Sequence, residues 1–224
     1  MPGVLEGVRV IDFCRYIAGP FCTAMLADLG AEVIRIEKVD GSEDRFTSPI
    51  TEQGDGATFM QMNRNKKSVT LNPMKPEGRE IVKRLIATAD IVAANLPPPT
   101  LEAMGIDYES LKAIKPDIIL TTMNAFGSGG PYSERVGFDG IGQVMAGGVY
   151  LGGTDDQPVK SYTPYADYGT ASLATVGTLA ALMYRNQTGR GQVVEGALLR
   201  TAIAFNNPAT VSYTHLTLPT IAKV

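Results

Sequence analysis

Short apolar runs recur along this chain at intervals too long for hairpins and well suited to crossover helices. Val8 to Phe13, Glu32 to Glu37 (EVIRIE), Ile91 to Ala94 (IVAA) and Asp117 to Met123 (DIILTTM) are such runs. Strands of this continuous kind are buried on both faces, which is the condition of a parallel sheet covered by helices. The segments between them carry helix signals: Ala18-Gly19-Pro20 leads into a helix from Phe21 to about Leu29, closed by Gly30. Pro76 to Ala89 forms a second helix with Pro at its start, and Leu101–Gly105 and Tyr108–Ile114 form two short ones. Ser68–Leu71 adds a short strand. The expected fold is an open, mostly parallel α/β sheet flanked by helices, of the Rossmann-like type.

The second half continues with a short helix over Asp139–Met145 and a long helix from Tyr168 to Arg185. That helix is almost wholly small or apolar, has no broad polar face, and is expected to be buried. Gly189-Arg190-Gly191 ends it, and Gln192–Ala197 reads as a last strand. Lys38 to Gly56 is a polar loop of the length that often carries function.

The histidine count narrows the chemistry sharply. The only one is His215, in the segment Val211–Val224, which departs from the preceding pattern and reads as a non-native tail behind a domain of residues 1–210. Ser-His-Asp and Cys-His machinery and His-ligated metal centres therefore lack their imidazole, and no metal is expected. Cys14 and Cys22 follow no CxxC pattern and are read as reduced core or pocket residues. Lys+Arg 20 against Asp+Glu 23 gives a net charge of −3, with no basic excess to draw nucleic acid or an anionic membrane. No apolar run approaches a membrane span, and the N-terminus has no secretory pattern, so a cytoplasmic location is expected.

Three groups of residues could carry chemistry. Asp167 stands just before the long helix, where it can cap the free N–H groups and be kept ionised by the helix dipole, or act as a carboxylate nucleophile. Asn63-Arg64-Asn65-Lys66-Lys67-Ser68, with Arg35, Lys38 and Arg45, could grip phosphate or be a solvated turn. The Gly127–Gly130 loop matches neither GxGxxG nor a P-loop, and is a turn or a flexible cover.

Taken in order, these segments resemble the amino-terminal half of the class III CoA transferases, the CaiB/BaiF family. The resemblance runs through Gly7–Phe13, Ala18-Gly19-Pro20, Met25–Glu37, Asn63–Ser68, Gly127–Tyr132, Ala166-Asp167-Tyr168, Ala180-Ala181-Leu182 and Thr188–Gln192. It implies that Asp167 attacks an acyl-CoA thioester and passes through a mixed anhydride and an aspartyl-CoA thioester before a carboxylic acid accepts the CoA. It further implies that Ala18, Lys38, Asn65, Lys66, Leu71, Asn95 and Leu96 line the CoA site, with coenzyme A and acyl-CoA as substrates rather than a tightly bound cofactor. A small carboxylic acid and a second copy of the chain, in an interlocked homodimer, are the other implied partners, and a smaller second domain of the family fold is missing here.

Several positions depart from the family pattern. Pro97-Pro98-Pro99 replaces a common Arg-Pro-Gly turn, and Ala103 replaces an arginine near the CoA phosphates. Ile17 replaces the glutamine of formyl-CoA transferases, which disfavours formyl and oxalyl groups. Phe138 occupies the place of the histidine used by the related acyl-CoA racemases, so acyl transfer is expected over α-proton exchange. Tyr16, Ile17 and Phe138 suggest an apolar or medium-sized acyl chain. The alternatives are a racemase or isomerase on the same fold, and a CoA-binding fragment without turnover.

Overall fold

A computed structural model describes residues 3–47, 49–154 and 156–207. The chain opens with β1 (Arg9–Asp12), α1 (Ala18–Asp28) and β2 (Glu32–Glu37), then a 3-10 turn over Glu43–Phe46, α2 (Ala57–Met62) and β3 (Lys66–Thr70). It continues through α3 (Pro76–Ala87), β4 (Ile91–Ala94), α4 (Pro98–Met104), α5 (Tyr108–Ile114) and β5 (Ile119–Asn124). The last part holds α6 (Asp139–Met145), α7 (Gly148–Leu151), a small hairpin of β6 (Gly153–Thr154) and β7 (Gln157–Pro158), α8 (Tyr165–Thr188), β8 (Val193–Ala197) and α9 (Leu198–Phe205).

Six strands form one sheet in the order β3-β2-β1-β4-β5-β8, and every neighbouring pair is parallel. This is the expected α/β architecture. Successive residues of the central strands β1, β4 and β5 enter opposite cores, as a pleated strand requires. Val10, Ile91 and Ile119 pack beneath α1 and α8 with Cys22, Leu26, Ala171 and Ala174, whereas Ile11, Val92 and Leu120 pack with Val82, Ile86, Leu101 and Leu111 of the opposite helices. Both faces are thus covered, which is why the central strands read as unbroken apolar runs.

Some elements begin earlier than the sequence suggests. α4 starts at Pro98 and not at Leu101, because a helix needs no N–H in its first turn and proline's fixed φ suits that turn. α1 likewise takes in Pro20 as its third residue. The long helix starts at Tyr165, three residues before the expected Tyr168, which places Asp167 inside the first turn and makes Pro164 the N-cap. The same helix is not buried all round. Its small residues, Ala166, Thr170, Ala171, Ala174, Thr178 and Ala181, allow close approach to the sheet and α1, while Leu173, Val176 and Met183 are 51–65% exposed. The tail reading of residues 211–224, His215 included, lies outside the described residues.

Candidate active site

The strand order reverses between β1 and β4, and open α/β sheets bind ligands outside the carboxyl ends of the strands at such a point. A cavity of about 340 Å³ lies there. Its walls come from the loop after β1 (Arg15, Tyr16, Ile17, and Ala18 at the start of α1), the loop after β4 (Asn95 to Pro98), the segments after β5 (Ala125, and Ser133 to Phe138), and Leu198 after β8. Asp167 also lines it, from the first turn of α8.

The wall below α1 depends on close backbone packing. A Cβ on Gly19 would lie 2.4 Å from both Cβ and Sγ of Cys14 and 3.2 Å from Cγ of Asn95, so the helix can meet these two loops only with glycine there. Tyr16 adopts φ 64°, and its N–H donates to Asp44 Oδ2 at 3.1 Å. This turn aims the Tyr16 ring edge-on at Phe138, with centroids 5.2 Å apart, at the mouth of the cavity.

Asp167 is 8% exposed, and its carboxylate accepts no hydrogen bond among the described residues. The capping role expected of it belongs to Asp139. Asp139 Oδ1 accepts from the N–H groups of Ala166 at 2.9 Å and Asp167 at 3.2 Å, and its Oδ2 accepts from Gln143 Nε2 at 2.6 Å. Gln143 in turn accepts from the Ser161 N–H at 2.9 Å, which ties down the approach to α8. A cap supplied from another helix explains why α8 can start at Tyr165 with proline before it. Burial first, and the Asp139 charge second, push the Asp167 pKa up to about 7, against a smaller opposing pull from Lys160.

Of the residues singled out from the sequence, Ile17, Ala18, Asn95, Leu96, Phe138 and Asp167 meet around this one cavity. The basic positions do not. The Lys66 ammonium, 2% exposed, donates to Asp12 Oδ2 at 3.0 Å, Pro20 O at 2.9 Å and Asn63 Oδ1 at 2.9 Å, so its three protons are all engaged. Asn65 adopts φ 60° and donates to Asp28 Oδ1 at 2.7 Å. Leu71 packs on the apolar cluster around Ile11 and Ile36. Lys38 is exposed and paired with Glu43, which itself lines the cavity. The neighbouring arginines are engaged too, Arg35 on Asp44 at 2.8 and 2.9 Å and Arg45 on Glu37 at 2.7 and 2.8 Å.

The thiols offer no competing nucleophile. Cys14 and Cys22 are fully buried, and burial pushes the first well above its ordinary pKa and the second up to about 12. Among the described residues no group of three or more His, Cys, Asp or Glu could hold a metal ion, and no helix is long and apolar enough to cross a membrane.

Sequence reasoning passed over Asp139, although its place at the start of an expected helix was plain. A contact between the first turns of two helices 28 positions apart leaves no local signal. Arg79 was also passed over; its guanidinium donates to the Ala103 carbonyl at 2.6 Å.

Sheet order and cavity define a doubly wound α/β protein with a buried carboxylate at its switch point. The chain belongs to CoA-transferase family III, whose pattern matches residues 5–222. It is 39% identical over 213 residues to the succinyl-CoA–L-malate CoA-transferase beta subunit of Chloroflexus aurantiacus, an alignment covering 93% of this chain and 52% of that one. It is 37% identical over 211 residues to the succinyl-CoA:glutarate CoA-transferase of Mus musculus, covering 93% and 48%. A solved CaiB/BaiF family protein from Brucella suis superposes with a TM-score of 0.90 at 36% identity, over 97% of this chain and 59% of that one. The chain thus spans about half the length of the curated relatives it matches.

Proposed function

We propose that the protein transfers CoA from an acyl-CoA to a carboxylic acid, with Asp167 as the nucleophile. The observation that carries this reading is the Asp167 carboxylate, free of hydrogen bonds to the described residues on the wall of the switch-point cavity. The relatives named above act on succinyl-CoA with malate or glutarate, which supports the same reaction class and small carboxylic acids as partners.

In the first step an Asp167 oxygen attacks the thioester carbonyl. The C–S bond breaks, leaving an acyl-aspartyl anhydride and CoA thiolate. The thiolate then attacks the aspartyl carbonyl and releases the donor acid, forming an aspartyl-CoA thioester. The acceptor carboxylate repeats the sequence in reverse, regenerating Asp167 and delivering the new acyl-CoA. Two properties of the site favour this course. A carboxylate with a pKa near 7 is a stronger nucleophile than one near 4 and is still substantially ionised at neutral pH. The apolar wall of Ile17, Leu96, Met123 and Leu198 keeps water from the anhydride.

In this reading CoA itself enters as a substrate over Ala18, Asn95 and Leu96, and the exposed Lys38 and Arg79, both outside the cavity wall, are the cations assigned to its phosphates. The exposed apolar face of α8 suits cover by a second copy, in keeping with a homodimer, and a cytoplasmic location fits a supply of acyl-CoA.

The direct test is trapping. Full-length protein incubated with an acyl-CoA and then hydroxylamine should carry a hydroxamate on the peptide containing Asp167, seen by mass spectrometry. An unmodified Asp167 in protein that turns over would sink the reading.

A further inference from the structure

Arg15 differs from most arginines of this protein. Arg9, Arg35, Arg45, Arg64, Arg185 and Arg200 each pair with a carboxylate. Arg15 is half-buried on the cavity wall and has no carboxylate within ion-pair distance among the described residues. Glu43 shares the wall and pairs with Lys38, and the Arg15 charge is a minor further influence holding its carboxyl below the usual range.

Its position is nevertheless fixed. The Asn95 carboxamide accepts from the Arg15 N–H at 2.7 Å and donates to the Arg15 carbonyl at 2.7 Å, joining the loops after β1 and β4 across the switch point. The guanidinium is held in turn by its Nη1, which donates to the carbonyls of Phe13 at 3.2 Å and Cys14 at 2.8 Å. Nε and Nη2 have no partner among the described residues. Ile17, Leu96, Met123 and Leu198 give the cavity an apolar part, and Glu43, Glu134 and Arg135 a charged one; a cation held there at one nitrogen, with two donors open, is a site for one carboxylate.

We propose that Arg15 binds the second carboxylate of the substrate, so that the protein selects dicarboxylic acids and their mono-CoA thioesters. The reacting end of the acid lies at Asp167 and the distal carboxylate at Arg15. This rests on the CoA-transfer reading for the reacting end, but the recognition at Arg15 does not require turnover.

The test compares Arg15→Gln and Arg15→Lys with wild type in the full-length protein, using succinyl-CoA against butyryl-CoA as donors of equal chain length. Wild type should favour succinyl-CoA, and Arg15→Gln should lower the ratio of the two kcat/KM values about 100-fold, the scale expected on losing one partner of a desolvated charge pair. Arg15→Lys should recover part of that ratio. A ratio unchanged by Arg15→Gln overturns the proposal, and so does an equal rise in KM for both donors, which would assign Arg15 to the CoA phosphates instead. Calorimetric binding of glutarate against valerate to the same proteins gives a second readout. If no donor is turned over yet glutarate binds in an Arg15-dependent way, the transfer reading falls and the dicarboxylate site stands. If glutarate binds no better than valerate, the dicarboxylate site falls whatever the turnover.

Discussion

Asp139 Oδ1 accepts hydrogen bonds from the N–H groups of both Ala166 and Asp167, so the carboxylate that caps α8 also sets the charge environment of the carboxylate on its third residue. Substituting Asp139→Asn leaves an oxygen to accept the same N–H groups and removes the like charge. The Asp167 pKa should then fall from about 7. With an ionised nucleophile, activity rises with pH through that pKa, so the acid limb of the kcat/KM profile should move to lower pH in Asp139→Asn. An unmoved limb would show that Asp139 acts on Asp167 through structure alone.

Asp167→Asn should abolish transfer, with a loss of at least about 1000-fold, since an amide cannot complete the anhydride step. The same change should stabilise the fold at alkaline pH. A carboxyl whose pKa is raised from 3.8 to about 7 binds its proton more tightly in the folded state, so stability falls as pH climbs between those values and stays low above them. Asn has no charge to bury. The Tm of Asp167→Asn should exceed that of wild type by several degrees at pH 8 and converge with it near pH 4, as measured by calorimetry. A difference independent of pH would mean that Asp167 is not the group with the raised pKa.

Lys66 separates a phosphate contact from a structural one. The Asp12 carboxylate, fully buried, would be pushed up in pKa by desolvation, but Lys66, Arg35, Thr23 and the Cys14 N–H together bring it below its usual value. Lys66→Met leaves that carboxylate without its nearest cation, which costs on the order of 3–5 kcal/mol when a buried pair is broken on one side. Loss of stability in urea, with little change in KM for CoA in whatever folds, is the expected pattern. A large rise in KM with unchanged stability would restore Lys66 to the CoA site.

The sheet and the cavity were legible in the sequence to different degrees. Glu32–Glu37, Ile91–Ala94, Tyr108–Ile114 and Asp139–Met145 fall where periodicity and turn residues put them, because their local preferences agree with their burial. The start of α8 was misplaced by three residues, since its cap comes from Asp139 on another helix. The run from Asn63 to Ser68 stays open in the sequence between a phosphate grip and a solvated turn for a similar reason. Charge in a sequence does not show its partner, and here Asp12, Asp28 and Glu32 take up Lys66, Arg64 and Lys67 across the fold. Residues that meet around the cavity come from the end of β5, the segments after β1, β2, β4, β5 and β8, and the first turn of α8, a set that strand order brings together.

Gly19 gives a test of how closely the cavity wall is built. Gly19→Ala would place a methyl group 2.4 Å from the Cys14 side chain, below any ordinary contact, with Asn95 Cγ at 3.2 Å behind it. Cys14 is fully buried and cannot turn away, so α1 must move outward. That shift would pull Ala18 from the cavity and loosen the Asn95 grip on Arg15. A stability loss of about 1–3 kcal/mol is expected from overpacking. Cys14→Ala in the same chain removes the sulfur and should relieve part of that loss, although the Cβ remains at 2.4 Å. The coupling is read from a double-mutant cycle in urea. Strict additivity of the two changes would mean that the contact between α1 and the loop after β1 does not set the position of the wall.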